Sequence, residues 1–386
     1  MSVENFGVLN AVNSLGILVG AFLGVIPYVV SKYIIEFKNN PQMSTKFLWD
    51  IFRFTTVVMI VLSLGVIVLA DSIKNYLNLS EYLPIYIFLV YLVSGVMMSV
   101  FFGVMQGLLL YVEVSIKGAL VAFLRLILAV ILVVWLGYSY NGALFAAMIA
   151  NIIIGVWVYT IVIKHIPFVR THNVKFSTEK YKEIAIYAIP VALTWLAMGI
   201  ITNIDVVLVK HYASDIEAGE YSVAAVIARI AVFLPGVLLS VLFPQILQNN
   251  VDGKSSLGTL YTVMGLTLLL SFGFAFVVNL FPEFIISMLF GVKYLGASQE
   301  IVIITYAMAL VAVISVLFNF LLAKHLYSYL YITFIGIIIT GLYIHFKMHD
   351  SAKEIAQAIL YGCFGILIGS VLIQKNLYKK VAEWIS

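Results

Sequence analysis

The stretch HIPFVRTHNVKFSTEKYKE, residues 165–183, is a polar and basic run inside an otherwise apolar chain. Five apolar segments precede it and six follow it, and each is about long enough to cross a bilayer as a helix. The run therefore predicts two lobes joined by a linker: five spans in residues 1–164, the linker in residues 165–184, and six spans in residues 185–386.

The composition of the whole chain supports this interpretation. Hydrophobic residues make up 63% and charged residues 10% of the 386 residues, and the mean hydropathy is +1.10. These values exclude an ordinary soluble domain and indicate an all-α, polytopic membrane protein with about 11 transmembrane helices. The predicted spans are residues 6–35, 48–70, 84–107, 113–137, 141–164, 185–210, 219–245, 257–280, 297–323, 327–346 and 354–375.

The positive residues are divided unequally between the loops on the two sides of the predicted spans. One side collects fifteen lysine and arginine residues and the other collects five. Positive residues favour the cytoplasmic side, so the linker and the C-terminus are predicted to be cytoplasmic. With an odd number of spans, the N-terminus is then outside, and the protein is expected to be a multi-pass protein of the cell membrane.

A weak internal repeat relates the beginning of each lobe. Gly7 matches Gly219 and Gly24 matches Gly236 at one constant offset. A further span precedes this segment in the second lobe, whereas in the first lobe the chain simply begins. The repeat predicts two pseudosymmetric bundles of five plus six helices, in which the first helix of a twelve-helix fold has no counterpart. A chance match of glycines in apolar sequence is the alternative.

Several short segments carry a resemblance to a known family. They are ENFGVLN (residues 4–10), YAIP (187–190), NIDVV (203–207), AGEYSVA (218–224), FLPG (233–236) and LFP (242–244). With these segments the chain resembles the polysaccharide-transporter branch of the multidrug, oligosaccharidyl-lipid and polysaccharide exporter superfamily. The resemblance implies two pseudosymmetric helical bundles that flip a lipid-linked oligosaccharide from the inner to the outer leaflet.

Two arginines lie deep inside predicted spans. Arg125 is about twelve residues from either end of its span, and Arg229 is roughly 15 Å below the outer end of its own. Each costs roughly 2.5–3.5 kcal/mol at such depth unless it is paired or hydrated. A guanidinium binds phosphate oxygens in pairs, so we expect both side chains to line a central cavity and to contact an anionic head group.

For Arg229 a structural role competes with this functional one. Asp205 lies on the preceding predicted helix at a similar depth and could neutralise the arginine as a buried pair. For Arg125 the sequence offers no obvious partner, because Glu113 is better placed to pair with Lys117 at a spacing of four residues.

Uncharged polar residues inside the spans form a second group of candidates. Their amides could bind sugar hydroxyls or could tie neighbouring helices together, and both roles stay open. The predicted substrate-binding candidates are thus Arg125, Arg229, Asp205, Asn151, Asn203 and Gln106.

Enzymatic functions find little support in the sequence. There is no glycine-rich phosphate loop with its lysine, and His345 and His349 have helical spacing but no third metal ligand. No catalytic residue, cofactor, metal or nucleic-acid partner is therefore expected. The leading hypothesis is a transporter that flips a lipid-linked oligosaccharide by alternating access among membrane lipids, with a functional link to glycosyltransferases.

Three alternatives remain open at this stage. A cation-coupled exporter of small amphipathic compounds would use Asp205 as its proton or sodium site. A membrane glycosyltransferase or polymerase would need acidic or histidine catalytic residues on a large loop, which are not visible. A non-transporting relative is the third alternative.

Overall fold

The computed structural model describes residues 2–166, 176–235 and 257–385, and most residues in these ranges are helical. A π-helical segment, Val130–Trp135, continues α5, and a 3-10 helix, Val292–Ala297, precedes α12. The helices are α1 (Val3–Glu36), α2 (Pro41–Val68), α3 (Ala70–Tyr76), α4 (Leu83–Gly107), α5 (Tyr111–Ala129), α6 (Ser139–His165), α7 (Thr178–Tyr212), α8 (Asp215–Ala228), α9 (Ile230–Phe233), α10 (Leu257–Leu280), α11 (Pro282–Leu289), α12 (Ser298–Ala323), α13 (Tyr329–Lys347) and α14 (Ala352–Ile385).

Ten helical segments in the described ranges are long and apolar enough to cross a membrane. The prediction of an all-α, polytopic membrane protein is therefore confirmed. The seventh of the eleven predicted spans, residues 219–245, is described only to residue 235, where it comprises α8 and α9. Gly236, the LFP segment at 242–244, and the linker residues Arg170 and Lys175 lie outside the described residues.

Polar caps fix the beginnings of helices at the ends of the spans. The side-chain oxygen of Asn40 accepts a hydrogen bond from the Met43 amide at 3.2 Å, and Pro41 occupies the first turn of α2. Ser214 caps α8 in the same way through the Glu217 amide at 3.3 Å. Capping satisfies amides that have no partner inside the helix, so these boundaries follow directly from the local sequence.

The chain forms two compact units, and each has one central helix. Unit 1 comprises residues 12–196, and its central helix α4 packs against α2, α5 and α6. Helix α1 also approaches α4 closely, because a Cβ at Gly103 would lie only 2.8 Å from the Cα of Pro27. On α1 itself, Gly16 faces Phe88 and Gly20 faces Leu92, so small residues let these helices pack against each other.

Unit 2 comprises residues 2–11 and 197–386, and its central helix is α12, which packs against α8, α10 and α14. More than three quarters of the apolar segment that contains α12 is buried. The packing pairs of unit 1 have counterparts here: α2 with α4 corresponds to α10 with α12, α4 with α6 to α12 with α14, and α5 with α6 to α13 with α14. This correspondence supports the predicted pseudosymmetry.

The internal repeat also appears as direct contacts within unit 2. A Cβ at Gly7 would lie 2.9 Å from the backbone nitrogen of Gly219, its partner in the sequence repeat. Three residues on, the Asn10 side-chain amide donates to the carbonyl of Ser222 at 3.1 Å, and this pair has the same offset. Equivalent positions of α1 and α8 therefore meet each other, which explains the glycines at both places.

Candidate functional site

The candidate site of unit 2 is a polar cluster formed by Asp205 on α7, Tyr221 on α8 and Arg229 just after α8. The Asp205 carboxylate is fully buried, and its Oδ2 accepts a hydrogen bond from the Tyr221 hydroxyl at 3.1 Å. Its Oδ1 lies 3.8 Å from Nη2 of Arg229. Burying a carboxylate requires a compensating charge or donor, and this cluster supplies one of each.

Arg229 is placed by a break in its helix. It ends α8 and begins the short helix α9, and its Nε donates to the backbone carbonyl of Thr202 on α7 at 3.1 Å. The Ser271 hydroxyl donates to the carbonyl of Ala231 at 2.8 Å and holds α9 against α10. The guanidinium is thereby fixed next to Asp205, although 14% of its side chain stays accessible.

Three buried atoms on α7 and at Arg229 have no hydrogen-bond partner among the described residues. They are Oδ1 of Asp205, Nη2 of Arg229 and Oδ1 of Asn203. The Asn203 amide nitrogen, in contrast, donates to the carbonyl of Gly199 at 3.0 Å and to the Thr202 hydroxyl at 2.7 Å. Two of these atoms, Oδ1 of Asp205 and Nη2 of Arg229, have opposite charge and lie 3.8 Å apart, beyond hydrogen-bond distance.

The described part of the chain contains no group of three or more histidine, cysteine, aspartate or glutamate residues that could hold a metal ion. The cluster has a single carboxylate, and its other members are a tyrosine and an arginine. Its chemistry is thus that of an ion pair with hydrogen-bonding neighbours.

The remaining candidates, Arg125, Gln106 and Asn151, lie in unit 1 on three different helices, α5, α4 and α6. Arg125 is exposed, whereas Gln106 and Asn151 are half-buried. None of the three makes a side-chain hydrogen bond or ion pair with another described residue.

Lys117 provides a contrast on the same helix as Arg125. It is the only buried residue of α5, and its Nζ lies 3.1 Å from Oε2 of Glu113 and 4.1 Å from the ring centroid of Trp157. The predicted pair of Glu113 and Lys117 is confirmed. Arg125 is accordingly left without this carboxylate.

The structure brings together some of the predicted residues and separates others. Asp205 and Arg229 adjoin each other, which is one of the two roles that the sequence left open for Arg229, whereas the two arginines belong to different units. Tyr221 was missed as a site residue, although it lies in the AGEYSVA segment and two helical turns before Arg229. That spacing was the signal that could have identified it.

Comparison with known proteins agrees with this architecture. Residues 1–250 match the family model described as "Polysaccharide biosynthesis protein". Comparison with curated proteins finds no match.

Solved structures with the same fold span nearly the whole chain. An inward-facing multidrug resistance MATE family transporter of the MOP superfamily has a TM-score of 0.75 at 12% identity, over 99% of this chain and 94% of its own. The lipid II flippase MurJ in an inward closed conformation has a TM-score of 0.71 at 13% identity, over 97% and 86%. A eukaryotic MATE transporter has a TM-score of 0.68 at 14% identity, over 96% and 87%. At such low sequence identities, these matches show a shared fold and nothing more.

Proposed function

This chain belongs to the polysaccharide biosynthesis protein family, and we propose that it moves a lipid-linked oligosaccharide, a polysaccharide precursor, across the membrane by alternating access. It is a multi-pass membrane protein with the fold of the MOP superfamily transporters. MurJ is described as a lipid II flippase. Its substrate, lipid II, is also lipid-linked.

The observation that carries the proposal is Arg125. Its side chain is exposed near the middle of a spanning segment, with exposed apolar neighbours such as Phe123 and Leu126. A cation at that depth is unfavourable against hydrocarbon unless it meets water or an anion. A polyprenyl-linked phosphate is such an anion, and its negative head group cannot cross hydrocarbon without a cation.

The other candidates complete the proposed contacts. Arg229 adds a second guanidinium, which is partly accessible beside Asp205. Gln106, Asn151 and Asn203 carry amides suited to sugar hydroxyls. In this proposal the protein binds and moves its substrate without catalysing a reaction on it.

The proposal includes the orientation of the protein in the membrane and the source of its substrate. The distribution of lysine and arginine favours a cytoplasmic C-terminus and an outer N-terminus in the cell membrane. Glycosyltransferases that build the oligosaccharide on its lipid carrier would supply the substrate on the inner side.

The test is a flipping assay with the purified chain in phosphatidylcholine vesicles that contain a fluorescent polyprenyl pyrophosphate saccharide. We expect R125Q to lower the flipping rate at least tenfold and R125K to keep part of it, because lysine retains the charge but not the planar fork. The matched control is R53Q, since Arg53 on α2 is also an exposed arginine of unit 1. Wild-type protein that leaves the saccharide on one side, or R125Q that flips at the wild-type rate, would contradict the proposal.

A second candidate function is supported by Asp205. A fully buried carboxylate with one oxygen that accepts no hydrogen bond from a described residue suits a proton or sodium site in a cation-coupled exporter of small amphipathic compounds. We expect D205N to abolish ion-dependent efflux of a lipophilic dye from inverted vesicles at normal protein levels. Efflux that keeps its ion dependence in D205N would remove this candidate.

A further inference from the structure

Within unit 1, the second half of α1 lies antiparallel to the first half of α7. At one end, a Cβ at Gly24 would lie 3.0 Å from the indole of Trp195. At the other end, the Tyr33 hydroxyl donates to Oε1 of Glu183 at 3.4 Å. The two half-helices therefore run side by side over at least two turns.

Accessible aromatic rings follow this seam. Tyr28 is 44% exposed and Trp195 is 40% exposed, and their ring centroids are 5.9 Å apart. One turn further along α1, Nζ of Lys32 lies 3.9 Å from the ring centroid of Tyr187. We call these four residues, Trp195, Tyr28, Tyr187 and Lys32, the aromatic track.

Lys32 places a positive charge at one end of the aromatic track. Its side chain is exposed, and it forms no ion pair with another described residue. The neighbouring Lys180 differs, because its Nζ lies 2.5 Å from Oε1 of Glu36 and 2.9 Å from Oε2 of Glu183. The ring centroids of Tyr33 and Tyr187 lie 5.0 Å and 3.9 Å from the Nζ of Lys32, so two tyrosine rings flank its ammonium group.

A proline interrupts each of the two helices next to the aromatic track. Pro27 has no amide hydrogen to donate to the carbonyl of Leu23, and Pro190 has none for the carbonyl of Ile186. Gly24 has no Cβ, which allows the Trp195 indole to lie against α1. The seam thus combines flat apolar rings with a cation, as in a binding site for an amphipathic ligand.

We propose that the aromatic track binds the saccharide-phosphate part of a lipid-linked substrate. The rings pack against the apolar faces of the sugars, and Lys32 contacts the phosphate. Eight residues of helix separate Gly24 from Lys32, or about 12 Å, which is close to the length of two linked hexoses. This inference rests on the proposed function and adds a subsite of unit 1 on helices other than the one that carries Arg125.

The experiment is a binding titration of the full chain in phosphatidylcholine nanodiscs, read from tryptophan fluorescence. The probes are a polyprenyl phosphate disaccharide, the soluble disaccharide 1-phosphate and polyprenyl phosphate without sugar. We expect both sugar-containing probes to change the fluorescence in a saturable manner, and W195F to lose most of that change. A full change with polyprenyl phosphate alone would overturn the proposal, because the site would then recognise a lipid head group without sugar.

Paired variants test the two kinds of contact. K32Q should weaken binding of the disaccharide 1-phosphate about tenfold, while K38Q, which removes an exposed lysine six residues later, should leave it unchanged. Y28L should weaken binding by a similar factor, whereas Y28F, which keeps the ring, should retain it. Equal affinities for K32Q and K38Q, or for Y28L and Y28F, would overturn the proposal. Because Lys32 is exposed, K32Q is decisive even if Y28L fails to fold.

Flipping measured in parallel separates this proposal from the proposed function. If the wild type binds both sugar probes but does not flip the saccharide, the proposed function fails and the aromatic track stands. If the wild type flips and K32Q and Y28L bind as tightly as the wild type, the aromatic track fails and the function stands.

Discussion

The two units repeat one helix arrangement but place their charged residues differently. In unit 2, the carboxylate of Asp205 is fully buried and adjoins Arg229 and Tyr221. In unit 1, Arg125 is exposed and has no partner among the described side chains. The contact pattern around α4 is nevertheless the pattern around α12.

Similar helix packing in the two units therefore does not determine which charged side chains are buried. Asp205 is neutralised inside unit 2, so its loss should act mainly through stability. Arg125 makes no structural contact of this kind, so its loss should act mainly on transport.

Removing the buried carboxylate should have the largest effect. We expect D205A to destabilise the protein by about 3–5 kcal/mol, because it leaves the guanidinium of Arg229 without its counter-charge. The measurement is thermal unfolding in detergent, followed by circular dichroism.

The matched control removes both charges. The double variant D205A/R229A should recover part of the loss, since it leaves no unpaired charge. R125Q should change stability by no more than about 0.5 kcal/mol. A loss in R125Q as large as that in D205A would end the distinction between the two units.

Adding a methyl group at the contact between α1 and α8 should cause the second-largest loss of stability. G219A should cost about 1–3 kcal/mol, because the added Cβ would meet the backbone carbonyl of Val3, which cannot rotate away. The control is G118A on α5, where a Cβ meets nothing within 4 Å. G118A should be neutral or stabilising by up to about 1 kcal/mol, since alanine favours helix more than glycine. Similar melting temperatures for both variants would contradict the close approach.

Loss of the tyrosine hydroxyl should have a smaller effect. Y221F removes the donor to Oδ2 of Asp205 and should cost about 1–2 kcal/mol, because it leaves a buried carboxylate oxygen without a partner. The melting temperature of Y221F in the D205A background gives the coupling between the two residues. If Y221F costs as much there as in the wild type, the hydroxyl does not stabilise the carboxylate.

The smallest expected effect concerns the buried lysine of unit 1. K117M removes contacts with Glu113 and Trp157 but keeps an unbranched apolar chain, so we expect a loss of about 1 kcal/mol. Chemical unfolding of K117M and W157F, alone and combined, measures the ring contribution. A strictly additive double variant would show that the lysine and the ring do not interact.

Much of the fold could be predicted because membrane burial leaves a strong local signal. Apolar segments of the right length are visible without knowledge of contacts, and ten helical segments that are long and apolar enough to cross a membrane are present in the described ranges. The Glu113–Lys117 pair was also predictable, because both residues lie on one helix at a fixed spacing.

Features that join distant parts of the chain were harder to predict. The boundary between the units falls inside α1 and inside α7, although neither helix shows a change of composition there. The contact of Gly7 with Gly219 was suggested only as a repeat in the sequence, and its role as a packing contact depends on the crossing of two helices. The role of Tyr221 depends on which face of α8 meets α7.

The helical class of this protein, its approximate spans and the presence of charged residues inside them follow from the sequence alone. They do so because hydrophobicity and helical spacing are properties of residues close together in the chain. The tertiary structure was needed to show that Asp205 and Arg229 adjoin each other and that Arg125 is exposed. It was also needed to show that the rings of Tyr28 and Trp195 lie side by side. Such contacts depend on how helices far apart in sequence turn their faces toward one another, which no local pattern specifies.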